Sequence, residues 1–371
     1  MTAMLPNDTA TTFGRFFLPG PTEVHPSVLA AMTQPMIAHR GKAFEAMFAR
    51  LQEGLRDVFR TTRPVFISSS SATGLMEASI RCAPPGPVLA PINGAFSERF
   101  AHIVRATGRE LDVVDVPWGR ALDPDDIAAR LRTRRYGALT VVHSETSTGA
   151  LTDVHALARV AREAGVYCLV DSVTGVGGVP LHMDAWSLDF ALTGSQKALA
   201  LPPGLAFGVA SEQYMATAAQ APNRGLYFDL VEFEEFGKKN QTPNTPSLSL
   251  FYALDVQLAR IRAETMEARW ARHLAMAERT HRWVAEREER YGIRVLPPAG
   301  ERSLTVTTIT LPERITTDQV VRAVAARGYT IGGGLLRLKG KTFRIGHMGE
   351  HTLEELEGCL AACDEALAEV S

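Results

Sequence analysis

No uninterrupted apolar stretch in this chain approaches the length of a membrane span. Neither sign of charge prevails, with 39 basic residues against 41 acidic ones. That balance offers no field for nucleic acid, and basic runs such as Arg132-Thr-Arg-Arg135 are short enough to be solvated faces. Cysteine is scarce. Cys82, Cys168, Cys359 and Cys363 follow no disulfide or zinc spacing beyond one i,i+4 pair. That pair could share a helix face and bind metal, but no His or Cys neighbours it in sequence. Packing is its default reading, so no metal is expected. The start, Met1 to Thr12, lacks the basic-then-apolar order of a signal peptide, and a reducing cytoplasm is the expected compartment.

What is present is an ordinary globular composition, 46% hydrophobic and 22% charged over 371 residues. That length exceeds one typical core and predicts two domains. Between about Pro64 and Ala210, short β-rich runs alternate with helical stretches, the signature of an α/β fold with a mostly parallel sheet between helices. The runs Val65–Ser68, Val88–Ala90, Leu111–Val116, Ala138–His143, Val166–Val170, Phe190–Thr193 and Leu205–Ala210 predict a seven-stranded sheet. Asp153–Ala164 carries Val154, Leu157, Ala158 and Ala161 at helical spacing behind an Asp cap. Residues 211–247 hold irregular stretches with Pro and Asn, and read as loops over the sheet. From Leu248 the pattern is helical up to the break at Gly292. Strands near Ser303–Thr310 and Phe343–Gly346, a helix near Thr317–Arg327 and a closing helix near Leu353–Val370 then give a smaller C-terminal α+β domain. The expected boundaries are an arm over 1–24, whose first twelve residues are polar and unpatterned, a large domain over 25–257 and a small one over 258–371. There is no internal repeat or low-complexity tract.

The run Phe190–Thr193 ends in a small-residue turn, Gly194-Ser-Gln-Lys197, that presents one lysine. Val166–Val170 ends directly in Asp171. An amine and an acid at the carboxyl ends of two buried strands stand where open α/β sheets place their ligands. The pair suits pyridoxal phosphate, which takes a lysine for its Schiff base and an acid opposite its pyridinium nitrogen. Taken singly, Lys197 would be a solvated loop lysine and Asp171 a helix cap. Ser69-Ser-Ser-Ala-Thr-Gly74 follows a strand and leads into a helix from about Thr73, so its N–H groups and hydroxyls form an anion site or only a cap. Phe96, in Asn93-Gly-Ala-Phe-Ser-Glu-Arg99, could stack on a planar ring or belong to the core. The hydroxyls of His143-Ser-Glu-Thr-Ser-Thr-Gly149 could reach a phenolic oxygen or form turns. Arg344, on an expected strand between apolar neighbours, needs an anion: a substrate carboxylate held bidentately, or a structural ion pair. Three patterns are false leads. Gly334–Thr342 has one residue too many for a P-loop and precedes a strand, Gly175-Val-Gly-Gly178 has Pro180 where a dinucleotide loop has its third glycine, and no Gly-x-Ser-x-Gly elbow occurs.

Together these residues resemble the class V aminotransferases of pyridoxal-phosphate fold type I, in particular the alanine–glyoxylate and serine–glyoxylate aminotransferases. The similarity runs from Leu18-Pro-Gly-Pro-Thr-Glu-Val-His-Pro26 through Gly194–Gly204 to Arg344-Ile-Gly-His-Met-Gly349, nearly the whole chain. The lysine block and the His-x-Glu-Thr-Ser-Thr-Gly block are its most specific parts. The resemblance implies pyridoxal 5'-phosphate bound through Lys197, with Asp171 on the pyridinium nitrogen. Ser71 joins the cofactor-binding set, with Ala72 and Thr73, helped by Gln196, on the phosphate. Phe96 would stack on the ring, Val173 pack behind it and Thr146 meet its polar edge. Gly20 and Arg344 would contact the substrate, Arg344 through its carboxylate. Thr245 would reach the phosphate of a neighbouring subunit, which implies a homodimer with active sites at the interface. The family usually has glycine where Ala72 stands, and often Trp or Tyr in place of Phe96. The implied reaction moves an amino group between alanine or serine and glyoxylate or pyruvate, ping-pong through pyridoxamine phosphate, with no nucleic-acid or membrane partner. A 2-aminoethylphosphonate aminotransferase is one rival. A cysteine desulfurase-like lyase is another, although no cysteine lies between Leu169 and Gly358. A non-catalytic member would have no need of Lys197.

Overall fold

The computed structural model of the chain describes residues 13–371. The reading of the first twelve residues as part of an arm lies outside them. Seven strands form the main sheet, in the order Val65–Ser68, Ala206–Ala210, Phe190–Gly194, Tyr167–Asp171, Ala138–Val142, Val88–Ile92 and Leu111–Asp115. All neighbours pair in parallel except Ala206–Ala210, which is antiparallel to both of its own. Apart from Tyr167, at the start of its strand, the inner strands are buried along their length because helices cover both faces, and a strand buried on both faces reads as an uninterrupted apolar run. Alternate residues of one strand feed opposite layers. Leu89, Leu139 and Ala191 pack with Phe44, Leu51 and Phe251 on one side, while Val88, Ala138 and Phe190 pack with Leu75, Phe100 and Tyr214 on the other.

Residues 211–247 are not all loop, as the sequence suggested. They contain the helices Glu212–Ala218 and Leu230–Gly237. At seven and eight residues each is about two turns, too short for apolar periodicity to stand out. Their signal lay in the caps: Ser211 and Asp229 accept from the backbone N–H groups of Tyr214 and Val231. The long helical stretch is three helices, Leu248–Glu264, Met266–Ala285 and Glu288–Tyr291. It breaks where Thr265 takes φ +70° and caps the next helix through Ala268 N–H.

The smaller sheet has five strands, in the order Phe16–Phe17, Thr330–Gly333, Thr342–Ile345, Thr307–Thr310 and Arg294–Val295. The two-residue strand Phe16–Phe17 pairs in parallel with Thr330 and Ile331, a pairing across most of the chain that no local pattern announces. Its consequence is functional. The segment that follows crosses the carboxyl end of the main sheet, where Thr22 N–H donates to Gln196 O at 3.0 Å and Thr22 Oγ1 to Lys197 O at 3.0 Å. Cys359 and Cys363, on the helix Leu353–Val370, both pack in the small core with Phe17, Phe343 and Ile345. Among the described residues no helix is long and apolar enough to cross a membrane.

Candidate active site

Three neighbouring parallel strands deliver polar side chains to one end of the main sheet. Tyr167–Asp171 ends in Asp171, Phe190–Gly194 continues into the turn of Lys197, and Ala138–Val142 runs into the block His143–Gly149. Gly20, Ser71, Ala72, Thr73, Phe96, Thr146, Asp171, Val173, Gln196 and Lys197 line one cavity of about 260 Å³ there. Arg344 is tied to it through Thr146, whose carbonyl accepts from Arg344 Nη1 at 3.2 Å. Thr245 lies apart, in a loop against Ser68, Ser69 and Tyr227.

Lys197 is a buried amine. Its backbone is fixed by Ala200 N–H, which donates to its carbonyl at 2.8 Å, and by the Thr22 hydroxyl. Its Nζ donates to Pro19 O. Gly20 must be glycine: its φ is +99°, and a Cβ there would stand 2.5 Å from Lys197 Nζ. Burial pushes the ammonium down to about 8, and the nearby Arg344 guanidinium pushes the same way. Lys197 of the cofactor-free protein should therefore react with an amine reagent with a midpoint near pH 8, rather than near the ordinary 10.5. Peptide-resolved labelling across pH checks this, and a midpoint above pH 10 would contradict the buried placement.

Asp171 shows the opposite shift. Burial raises its carboxyl to about 7, opposed by Val173 N–H, which donates to Oδ1 at 2.8 Å, while the nearby Glu145 adds to the rise. A cationic N–H placed against Asp171 would relieve that penalty and leave the acid ionised. Arg344 is held down to about 10, chiefly by burial. Its Nε donates to Gly333 O at 2.8 Å and its Nη1 to Thr146 O, both neutral carbonyls. Among the described residues no carboxylate pairs with it and Nη2 makes no hydrogen bond, which removes the structural ion pair as its reason for burial.

The helix Ala72–Cys82 opens on this cavity. Its N-cap, Ser71, is extended and makes no side-chain capping bond, so N–H groups of its first turn are free for an anion. Ala72 is not among the positive-φ residues, so its methyl is accommodated without strain where the family usually has glycine. The Phe96 ring centroid stands 6.0 Å from Lys197 Nζ. An amine that gives up its proton near neutrality, a buried acid, a flat apolar ring and an uncapped helix N-terminus fit the aldehyde, ring nitrogen, ring face and phosphate of pyridoxal phosphate.

Sequence reading passed over three residues here. Pro19 offers only its carbonyl, which no sequence pattern marks. Arg99 lines the cavity one turn after Phe96 and has no ion-pair partner among the described residues. Glu145 stood inside a block singled out for its hydroxyls. Its signal was indirect, since the helix Ala95–Ala106 begins after Gly94, which has no capping side chain.

Residues 16–336 match the sequence profile of the family described as Aminotransferase class-V. An L-aspartate–glyoxylate aminotransferase of Paracoccus denitrificans is 32% identical over 352 residues, covering 92% of this chain and 88% of that one. A serine–glyoxylate aminotransferase of Methylorubrum extorquens is 32% identical over 369 residues, covering 95% and 90%. The crystal structure of an alanine–glyoxylate aminotransferase from Nostoc sp. superposes with a TM-score of 0.90 at 31% identity, over 99% of this chain and 98% of that one. With a fold of the pyridoxal-phosphate transferase type and a family match over most of its length, the chain belongs to the class V aminotransferases and is a transaminase.

Proposed function

We propose that this transaminase moves an amino group between a small amino acid, alanine or serine, and a small 2-oxo acid, glyoxylate or pyruvate, in two half-reactions that share one pocket. The observation that carries the reading is Lys197 and Asp171 lining one small cavity, with a buried Arg344, unpaired among the described residues, joined to it through Thr146. Pyridoxal phosphate, when bound, supplies a carbonyl that condenses with amino groups and a ring that takes up electrons released at the substrate Cα.

The chain's residues do the rest. Lys197 Nζ, whose burial brings its proton loss down to about 8, is placed to take the proton from the substrate Cα as general base and would return it once the cofactor is bound. Asp171 holds a proton on the ring nitrogen, where a buried carboxylate opposite a cation is stabilised far more than in water. The open first turn at Ala72 and Thr73 binds the phosphate, and Phe96 covers one ring face. Arg344 receives the substrate carboxylate on its free Nη2, and Gly20 keeps the floor clear for Lys197. The four cysteines are all buried, and none lines the cavity, which leaves no thiol for a sulfur-transferring reaction. In this reading the active unit is a homodimer, with Thr245 turned toward the phosphate of the neighbouring copy.

Arg344→Lys should raise KM for both amino donor and oxo acid, since lysine cannot supply two parallel charge-assisted bonds to a carboxylate. The loss should be roughly 2–5 kcal/mol in a dry site. The absorbance of the cofactor-bound protein before substrate should not change. Effects on only one of the two substrates would return Arg344 to a structural role. The donor is tested by mixing the yellow protein with single amino acids and watching which of them bleach it. Alanine or serine should do so. Aspartate is the second reading, because it would give Arg99 a distal carboxylate to bind; bleaching by aspartate alone would replace the first.

A further inference from the structure

Glu145 is fully buried, and no cation lies within ion-pair distance of it among the described residues. Backbone and hydroxyl donors satisfy it instead. Phe96 N–H and Ser97 N–H each donate to its Oε2 at 3.0 Å, while Ser147 N–H and Ser147 Oγ donate to Oε1 at 3.1 and 2.6 Å. The same Ser147 Oγ accepts from Ala95 N–H at 2.9 Å. The first three N–H groups of the helix Ala95–Ala106 are therefore all capped by the loop that carries Thr146, on another strand's end. A helix N-terminus favours an anion, which explains how a carboxylate stays buried here without a cation. Gly94 is built for the contact, since a Cβ on it would fall on Glu145 Cγ and Cδ.

We infer that Glu145 is a positioning residue for this reaction: by tying the N-terminus of helix 95–106 to the loop 145–147, it sets Phe96 against the lysine and Thr146 against Arg344. One carboxylate thus fixes the ring-stacking face and, through Thr146 O, the substrate guanidinium in one frame. Its charge also acts on the reacting amine. Lys197 feels Arg344 and Arg99 as cations and Asp171 and Glu145 as anions. Neutralising Glu145 removes one of the two anions that favour the ammonium. The inference rests on Phe96 serving as the cofactor's stacking face, as proposed above.

The test uses the full-length protein, stripped of cofactor and titrated with pyridoxal phosphate. Glu145→Gln should bind it about tenfold more weakly, the effect of losing one charge-assisted hydrogen bond that orients Phe96. Combining it with Phe96→Ala should bind no worse than Phe96→Ala alone, because one acts through the other. The labelling midpoint of Lys197 in the cofactor-free Glu145→Gln protein should fall, which loss of packing alone would not produce. Gly94→Ala, which displaces the carboxylate without removing it, should show the same weakened and non-additive binding, and it carries the test if Glu145→Gln does not fold. Unchanged affinity with an unchanged midpoint, or additive losses in the double variant, would overturn the inference. Failure of the unaltered protein to take up pyridoxal phosphate at all would instead overturn the reading it rests on.

Discussion

Lys197→Ala is expected to give a folded, colourless protein whose transamination rate falls below about 10⁻⁴ of the original. General acid–base groups contribute up to about 10⁴-fold, and here the same amine also anchors the cofactor covalently. The fold should survive. Among the described residues the only hydrogen bond of the Lys197 side chain is to Pro19 O, and its burial already works against its charge. Alanine removes that penalty and leaves a gap in a cavity that is open in any case. The midpoint of thermal unfolding should stay within a few degrees, so loss of activity with loss of fold would not support the role. Retained activity would refute it.

Asp171→Asn should keep the cofactor and lose the rate. The amide preserves size and can still face Val173 N–H through its oxygen, so the strand end need not move. It cannot hold a cationic ring nitrogen. Removing one preorganised electrostatic partner at a dry reacting centre typically costs about 10²–10³ in rate, and this partner acts at the electron sink itself. The expected result is near-normal cofactor content with Cα deprotonation slowed by about 10³-fold or more. Stopped-flow single turnovers with deuterated donor separate this step from binding. Single-turnover rates close to those of the unaltered protein would contradict the assignment.

The parts of this account visible in the sequence share a physical cause. Val65–Ser68, Ala138–Val142 and Phe190–Gly194 are buried on both faces, so each is a continuous apolar run, and the turn after each stands out as a cluster of small and hydroxyl residues. Lys197 and Asp171 were legible because they end such runs. Contacts made across the chain were not. Phe16–Phe17 is a strand only because Thr330 and Ile331 lie beside it. Pro19 enters through a carbonyl, and Glu145 works by capping a helix that begins fifty positions earlier in the chain, at Ala95. The same distinction explains the short helices over 211–247, whose Ser211 and Asp229 caps carried more information than their apolar pattern.

The central claim is that one amine in this chain carries the chemistry. The chain has six lysines: Lys42, Lys197, Lys238, Lys239, Lys339 and Lys341. Only Lys197 is buried. Reducing the cofactor-loaded protein with borohydride and mapping its peptides tests the claim directly. The account predicts a stoichiometric pyridoxyl group on the peptide containing Lys197 and on no other. A label on any of the five exposed lysines, with Lys197 unmodified, would contradict it.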